Sequence, residues 1–401
     1  MSLKTLFILL SSFVFLTFYS CNQKDKKSTK QDANLNTDTI EIVKINYPKD
    51  STQDQIAALL GGDYADAFKK VFTDNMSFWN EYKTSIDTPW SRITAERFTK
   101  MEKWCSDEIT PKISDTTLLF YPFSGPDFIN AYYLFPNANE YILVAMEKLG
   151  TIPNLYEMKE DDLKNYLDAV NFGLRDIYKR SYFITGNMDQ DLRKNKVDGV
   201  LPLLYVFLHR TGHEIYEFGY YRLENDATTF TKIEKPSNDL KVTECIKFKI
   251  CKKGDNKLKN LTYFYADISD DGFVKNPIFL QYLKSLRPYN VFIKSASYLS
   301  HYDTFSNIRN LVIEKSKAVL QDDTGVPFRY FKNNFDFYLY GIYEKPIDDF
   351  KSTYLFQKDL DEEYKKGIAK PLEFSLGYHW RSGKQNWVLY VRNDEKTNTT
   401  K

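Results

Sequence analysis

Residues 118–127, Leu118-Leu119-Phe120-Tyr121-Pro122-Phe123-Ser124-Gly125-Pro126-Asp127, carry the pattern that decides the fold class. The first four are apolar or aromatic, which predicts a strand over Thr116–Pro122. The last four have the form of a helix start, since proline suits the first helical position and an acid suits the first turn. A strand that runs directly into a helix indicates a chain of mixed α and β structure.

The same succession of strands and helices continues on both sides. Tyr141–Lys148 predicts another strand, and Asp162–Tyr182 predicts an amphipathic helix. Asp198–Arg210 is apolar nearly all round, which at that length predicts a buried core helix and not a membrane span. Further strands are predicted at Glu214–Arg222, Val242–Cys251 and Leu258–Asp267. The predicted class is therefore α+β, with a mixed sheet or sheets and packed helices.

Three further element predictions bear on the candidate sites. Tyr64–Lys83 and Trp90–Ile109 are predicted as two helices that Thr88-Pro89 separates. Thr304–Leu320 is predicted as one helix, with its apolar side chains on one side. Glu373–Trp380 and Asn386–Val391 are predicted to form a hairpin.

Weak similarities between the two halves of the body are consistent with a distant duplication. Glu140–Gly150 aligns with Tyr289–Ser300, and residues 218–222 resemble residues 340–344. Identities are few, and aromatic hairpins also recur by chance. Two similar α/β lobes, residues 51–240 and 241–395, are the organisation predicted if the duplication is real, with a cleft between them.

Composition and charge exclude several classes of protein. The chain has 401 residues, of which 42% are hydrophobic and 27% charged, with 30 Tyr and 30 Phe. These values are those of a globular body with a large core. The 55 basic and 54 acidic residues nearly cancel. A neutral body lacks the basic surface that nucleic-acid binding requires, so no nucleic-acid partner is expected.

The N-terminus carries the strongest signal of location. Met1–Lys4 is a short basic segment, and Leu6–Phe18 is an apolar stretch too short for a comfortable membrane span. Phe18-Tyr19-Ser20-Cys21 resembles the lipobox of bacterial lipoproteins, although Phe18 and Tyr19 are bulkier than the usual residues. The resemblance implies that residues 1–20 are a signal peptide that is cleaved before Cys21. It also implies that Cys21 is lipidated on its sulfur and carries palmitate or a similar acyl chain on its new amine. Several acyl chains together anchor a protein stably.

The segment after Cys21 is predicted to be a tether. Residues 22–44 contain no aromatic side chain and are rich in Lys, Asp, Asn, Thr and Gln, a composition that cannot bury a core. Residues 21–50 are therefore a flexible spacer in this interpretation. By the lipoprotein resemblance, Asn22 implies sorting to the outer membrane, so the predicted location is the cell envelope with the membrane as a partner through the lipid.

The body also resembles uncharacterised exported proteins of bacteria. The segments that carry this resemblance are Leu119–Asp127, Asn195–Glu214 and Ser295–Phe331. The resemblance implies export and brings no activity with it. Three cysteines remain after Cys21, and Cys245 and Cys251 lie six residues apart on one predicted strand, too far apart to bond.

Two segments resemble metal sites in part. Asp267-Ile268-Ser269-Asp270-Asp271-Gly272 matches the opening of a calcium loop, with Asp267, Ser269 and Asp271 at ligand positions, but position 12 is Ile278. A solvated turn with a helix cap is the alternative. His213-Glu214-Ile215-Tyr216-Glu217 begins like a zinc-protease motif, but Glu217 replaces the second histidine. His213 is kept as a ligand-binding candidate beside its interpretation as a structural residue.

Carboxylates and histidine supply the catalytic candidates. Asp322 and Asp323 are adjacent acids at the end of a predicted helix, where they oppose the helix dipole, so a buried partner such as Arg329 or a site is expected. His301 with its neighbour Asp303 offers a base and an acid, although Asp303 also suits a helix cap.

Ser124 and Asp127 have the same two interpretations, as a cap with a charged first turn or as site residues. Ser124 is counted with the ligand-binding candidates and Asp127 with the catalytic ones.

Two functions follow from these patterns. The first is a binding or structural lipoprotein that takes a ligand, a glycan or an envelope protein in a cleft lined by aromatic side chains. The second is an envelope hydrolase that uses Asp322, Asp323, His301 and Asp127, which requires these groups to meet around one substrate or water. Calcium is the single cofactor considered. Binding is favoured because no motif meets the geometry that its chemistry requires.

Overall fold

A ten-stranded mixed sheet organises the computed structural model, which describes residues 47–63, 68, 77–113, 117–183, 197–350, 355–380 and 383–393. The predicted α+β class is confirmed. The strands are β1 (Leu118–Pro122), β2 (Glu140–Ala145), β3 (His213–Leu223), β4 (Phe230–Ile233), β5 (Glu244–Lys252), β6 (Lys259–Tyr265), β7 (Tyr289–Ile293), β8 (Ser316–Gln321), β9 (Phe335–Gly341) and β10 (Asn386–Arg392).

The centre of this sheet is parallel and its two flanks are antiparallel. The strand order is β4-β3-β5-β6-β2-β1-β7-β8-β10-β9. Strands β6, β2, β1, β7 and β8 run parallel to one another. On one side β5 pairs antiparallel with β6 and β3, and β3 with β4; on the other side β10 pairs antiparallel with β8 and β9. The carboxyl ends of the five central strands therefore lie along one edge.

Helices cover both faces of the sheet. They are α1 (Ser51–Leu60), α2 (Ser77–Ile93), α3 (Thr99–Trp104), α4 (Phe128–Leu134), α5 (Glu160–Arg180), α6 (Leu201–Arg210), α7 (Asp270–Lys275), α8 (Pro277–Ser285), α9 (Ser306–Lys315) and α10 (Lys358–Tyr364). The first six pack against one face and the last four against the other. No helix among the described residues has the length and apolar content that a membrane crossing needs.

Burial on both faces explains why the central strands are almost wholly apolar. In β1, Leu119 and Tyr121 belong to one core cluster, and Leu118 and Phe120 belong to the other. Successive side chains of a strand point to opposite faces, so a strand covered on both sides needs apolar residues at every position.

Three element predictions were wrong. Pro89 does not end a helix, because α2 continues through it to Ile93. Residues 64–67 and 69–76 of the first predicted helix lie outside the described residues. The predicted helix 304–320 ends at Lys315, where β8 begins, because residues 318–320 alternate between the two core clusters with the period of a strand. The predicted hairpin is absent: β10 is flanked by β8 and β9, which leaves no free side for residues 373–380.

Strands from the two predicted lobes interleave within this one sheet. β5 and β6, from the predicted C-terminal lobe, lie between β3 and β2 of the predicted N-terminal lobe. Cys105, Cys245 and Cys251 are buried and form no disulfide within the described part of the chain. Cys21, the signal peptide and most of the tether lie outside the described residues.

The wholly buried helix α6 gives a test of this packing. Leu204 is fully buried on α6, a helix that packs against α1, α4, α5 and β3, so Leu204→Ala should lower the free energy of unfolding by about 2–5 kcal/mol. Val274→Ala, at an 80% exposed position of α7, is the control and should change it by less than about 0.5 kcal/mol. Urea unfolding measures both, and equal effects would contradict the described core.

Candidate functional site

The loops that follow the parallel strands enclose a cavity of about 500 Å³, here called the carboxyl-edge cavity. Residues 123–125 after β1, 144–147 at the end of β2, 266–268 after β6 and 294–297 after β7 line it. The chain leaves β1 towards β2 on one side and leaves β7 towards β8 on the other. Such a switch in direction opens a crevice at the carboxyl ends of the strands, where open α/β sheets bind ligands.

Strained backbone is concentrated around this cavity. Phe123, Ser295, Ser297 and Tyr298 have φ values of 59°, 53°, 52° and 57°, in the left-handed region that non-glycine residues rarely adopt. Each such residue costs free energy that the surrounding structure must supply. Strain of this kind is typical of segments that are held in place to shape a site.

A buried ion pair lies at the floor of the cavity. Lys294 Nζ is 2.7 Å from Asp127 Oδ2, and the two side chains are 2% and 1% exposed. Lys294 also donates to the carbonyl oxygen of Ser181. Burial lowers the pKa of Lys294, and the charge of Asp127 opposes that shift.

Asp127 has further donors. Tyr121 Oη donates to Asp127 Oδ2 at 3.0 Å, and Asn130 Nδ2 lies 2.8 and 3.0 Å from the two carboxylate oxygens. Asp127 is also the N-cap of α4, since it accepts from the backbone N–H of Asn130 at 3.2 Å. The predicted cap at this turn is thus present, although Asp127 itself and not Ser124 provides it. Pro126 precedes the helix.

Asp322 connects the loops after β7 and β8. It accepts hydrogen bonds from the backbone N–H of Ser295 at 2.9 Å, from the backbone N–H of Thr324 at 3.0 Å, and from the Thr324 hydroxyl. Burial, together with the neighbouring charge of Asp323, raises the pKa of Asp322 to about 6. Gly377 packs directly over it, because a Cβ there would lie 3.1 Å from Asp322 Oδ2.

Asp323 points to the other side of the same loop. It accepts from the Tyr298 hydroxyl and, at 3.0 Å, from Asn386 Nδ2. Both acids follow a parallel strand, so their predicted place at a helix end was wrong. The prediction that Arg329 is their buried partner was also wrong. Arg329 is exposed, and its Cζ lies 4.8 Å from the centroid of the Tyr330 ring.

His301 and Asp303 do not form an acid–base pair. The Asp303 side chain is fully exposed and lies 3.6 Å from Arg309. His301 is half-buried and meets the ring of Tyr298 edge-on at 5.1 Å. Burial lowers the pKa of His301 to about 4, in spite of the nearby charge of Asp323.

His213 is a core residue and does not line the carboxyl-edge cavity. Its Nδ1 is 2.8 Å from Thr211 Oγ1, and its ring packs edge-on against Phe128 and Tyr132. Burial lowers the pKa of His213 to about 3. The structural interpretation of this histidine is the correct one. Ser124, in contrast, does line the cavity, and its hydroxyl lies 3.3 Å from the carbonyl oxygen of Val144.

The predicted calcium loop forms a helix start. Ser269 is the N-cap of α7 and accepts from the N–H of Gly272 at 3.0 Å, and Asp267 Oδ1 accepts from the N–H of Ser269 at 2.9 Å. Asp271 is exposed. No group of three or more acidic, histidine or cysteine side chains able to hold a metal occurs among the residues described. The alternative interpretation, a turn with a helix cap, is the structure that this segment forms.

Aromatic side chains make up much of the remaining wall. Tyr182 and Tyr378 meet edge-on at 4.7 Å, and Phe123 and Phe305 meet at 5.8 Å. Lys294 and these aromatic residues as a group were not predicted as site residues from the sequence. Lys294 had a detectable signal, since it directly follows the apolar run of β7, where a buried charge needs a partner. Tyr182 and Tyr378 had none, because they meet only in the folded chain.

Comparison with family models, with curated proteins and with solved structures finds no match to this chain.

The raised pKa of Asp322 predicts a pH dependence of stability. The folded chain holds this proton more tightly than the unfolded chain, whose carboxyl has the ordinary value of 3.8. The contribution of Asp322 to stability therefore falls as the pH rises from about 4 to about 6. Relative to Asp322→Asn, the wild-type free energy of unfolding should decline over this window.

Urea unfolding at a series of pH values measures this difference. Asp161→Asn, at an exposed position of α5, is the matched control. A wild-type curve that stays parallel to the Asp322→Asn curve would contradict the expected protonation.

Proposed function

We propose that this chain is a lipid-anchored envelope protein that binds a small saccharide in the carboxyl-edge cavity. The observation that carries the proposal is the cavity at the switch point of the parallel strands, with aromatic walls. Its volume of about 500 Å³ lies in the range of small-molecule sites.

The aromatic walls suit the faces of sugar rings. Tyr182, Tyr378, Phe305 and Phe350 are half-buried, so each has ring surface left to cover. Stacking an apolar sugar face on such rings removes apolar area from water, while tyrosine hydroxyls bond at the edge. The edge-on pairs of rings hold these surfaces in fixed orientations.

The polar groups of the cavity suit a ligand without negative charge. Glu147, Asp267 and Asp349 contribute carboxylates to its lining, and Ser124 and Ser297 contribute hydroxyls. Lys294 is the one cation among the described lining residues, and Asp127 neutralises it. Carboxylates accept hydrogen bonds from sugar hydroxyls and repel anions.

The hydrolase alternative has less support. Asp127, Asp322 and Asp323 are fully engaged with donors of the fold, and none of them is among the residues that line the cavity. A general acid or base must come within hydrogen-bond reach of the substrate. We therefore assign these carboxylates to holding the loops in place.

The location is proposed from the N-terminal sequence. Cys21 follows a short apolar segment and precedes a polar tether, the arrangement of bacterial lipoproteins. Anchoring at the outer membrane would present the cavity to envelope glycans, which are saccharide ligands of the proposed class.

Removal of aromatic wall residues should weaken saccharide binding. Tyr182→Ala and Phe305→Ala should each raise the dissociation constant by about three- to tenfold, because each removes one stacking surface. The probe is a panel of neutral oligosaccharides, with binding measured by calorimetry on the whole chain in detergent.

Phe172→Ala is the matched control, because this aromatic side chain is 38% exposed on α5 and lies outside the cavity. It should leave binding unchanged. If no member of the panel binds, or if all three variants bind alike, the saccharide proposal fails.

Replacement of Cys21 should release the chain from the membrane. Cys21→Ser removes the sulfur that would carry the lipid, so the chain should lose its acyl mass and move out of the membrane fraction. Mass spectrometry and fractionation measure this, and Cys105→Ser, which leaves Cys21 in place, is the control. An unchanged distribution of the Cys21 variant would contradict the lipid anchor.

A further inference from the structure

A second cavity of about 560 Å³, here called the basic cavity, lies beside α2, α3 and the end of α5. Four cations line it: Arg92, Arg97, Lys100 and Lys179. Two carboxylates, Glu96 and Glu373, also line it. The cavity therefore carries two net positive charges in a chain whose overall charge is close to zero.

The four cations are not engaged in contacts that stabilise the fold. Within the described part of the chain, none of them makes an ion pair or a side-chain hydrogen bond. Their neighbours differ: on the same helical run Lys103 pairs with Asp107 at 2.5 Å, and on α5 Lys164 pairs with Asp168 at 3.0 Å. Paired charges are thus the usual arrangement on these helices, and the basic cavity departs from it.

Arg97 distinguishes this cavity from a solvated basic surface. Its side chain is half-buried, whereas Arg92, Lys100 and Lys179 are exposed around it. Burial lowers the pKa of Arg97 to about 10, although the charges of Asp127 and Glu96 oppose that shift, and Arg97 stays charged at neutral pH. A partly desolvated guanidinium without a hydrogen-bonded partner is costly, and a bound anion removes that cost.

The chemistry of the lining defines the anion. A guanidinium offers paired N–H donors that match the oxygens of a phosphate, and lysines add point charges. The hydroxyl of Ser375, also on the wall, is half-buried and can donate as well. Two net positive charges complement a phosphomonoester, which carries about −1.5 to −2 at neutral pH.

We propose that the basic cavity is a binding site for a phosphomonoester group. The ring of Trp380 forms part of the same wall, so an organic group attached to the phosphate has an apolar surface to contact. This site is separate from the carboxyl-edge cavity, whose described lining residues it does not share. It stands whether or not the saccharide proposal holds.

The test uses the whole chain in detergent and glucose 6-phosphate as the probe, with glucose as the uncharged control. Arg92→Gln combined with Lys100→Gln removes two exposed cations that the fold does not use. This double variant should bind glucose 6-phosphate about tenfold more weakly or worse, because hydrogen bonds to charged groups contribute strongly. Lys103→Gln combined with Lys164→Gln removes the same net charge elsewhere on these helices and should bind like the wild type.

Arg97→Lys adds a test of the guanidinium, since it keeps the charge and removes the paired donors. It should weaken binding of glucose 6-phosphate by several fold. Vesicles that contain phosphatidic acid, compared with phosphatidylcholine vesicles, test a lipid headgroup as the source of the same phosphomonoester. Binding to either phosphomonoester that depends on Arg92 and Lys100 supports the proposal.

The proposal is overturned if neither phosphomonoester binds. It is also overturned if the two double variants lose equal affinity, because binding would then follow net charge and not this cavity. Neutral oligosaccharide binding serves as a further control, since the Arg92 and Lys100 variant should retain it. A wild-type chain that binds a phosphomonoester but no saccharide would count against the saccharide proposal and not against this one.

Discussion

The buried contact between Lys294 and Asp127 is the constraint on which the rest of the site depends. Asp127 caps α4 and accepts from Tyr121 of β1, while Lys294 follows β7 and donates to Ser181 at the end of α5. One ion pair thus joins four elements at the carboxyl edge. Loss of one partner from such a pair leaves an uncompensated buried charge, which costs about 3–5 kcal/mol.

The two acids after β8 extend this framework to the next loops. Asp322 accepts from the backbone of Ser295, and Asp323 accepts from Tyr298, which in turn accepts from the N–H of Ile347 at 2.9 Å. Ser295 and Tyr298 both have strained backbone. The hydrogen bonds of the acids therefore stabilise the strained conformation that gives the cavity its wall. This role explains why the carboxylates are buried together in spite of their repulsion.

The apolar strands and amphipathic helices were predictable because their patterns are local. Leu118–Tyr121 and the buried helix at Leu201–Leu208 follow directly from residue spacing. The change from helix to strand at Ser316 was not predictable. The same apolar residues fit the helical and the strand period, and the neighbouring strands of the sheet decide between them. Asp127 and Asp322 were recognised as unusual positions, but their partners, Lys294 and Ser295, are more than 25 residues away in the chain.

The two cavities have opposite electrostatic character, although the same two chain segments contribute side chains to both. Tyr182 and Tyr378 line the carboxyl-edge cavity, while Lys179 and Trp380, a few residues away, line the basic cavity. Ser181 ties these segments together, since its hydroxyl accepts from the N–H of Gly377 at 2.8 Å. Arg97 acts electrostatically on Asp127 from the basic side, and Lys294 pairs with it from the other. The charge of Arg97 therefore acts on the same carboxylate that Lys294 holds beneath the carboxyl-edge cavity, so one buried acid helps position the segments between the two cavities.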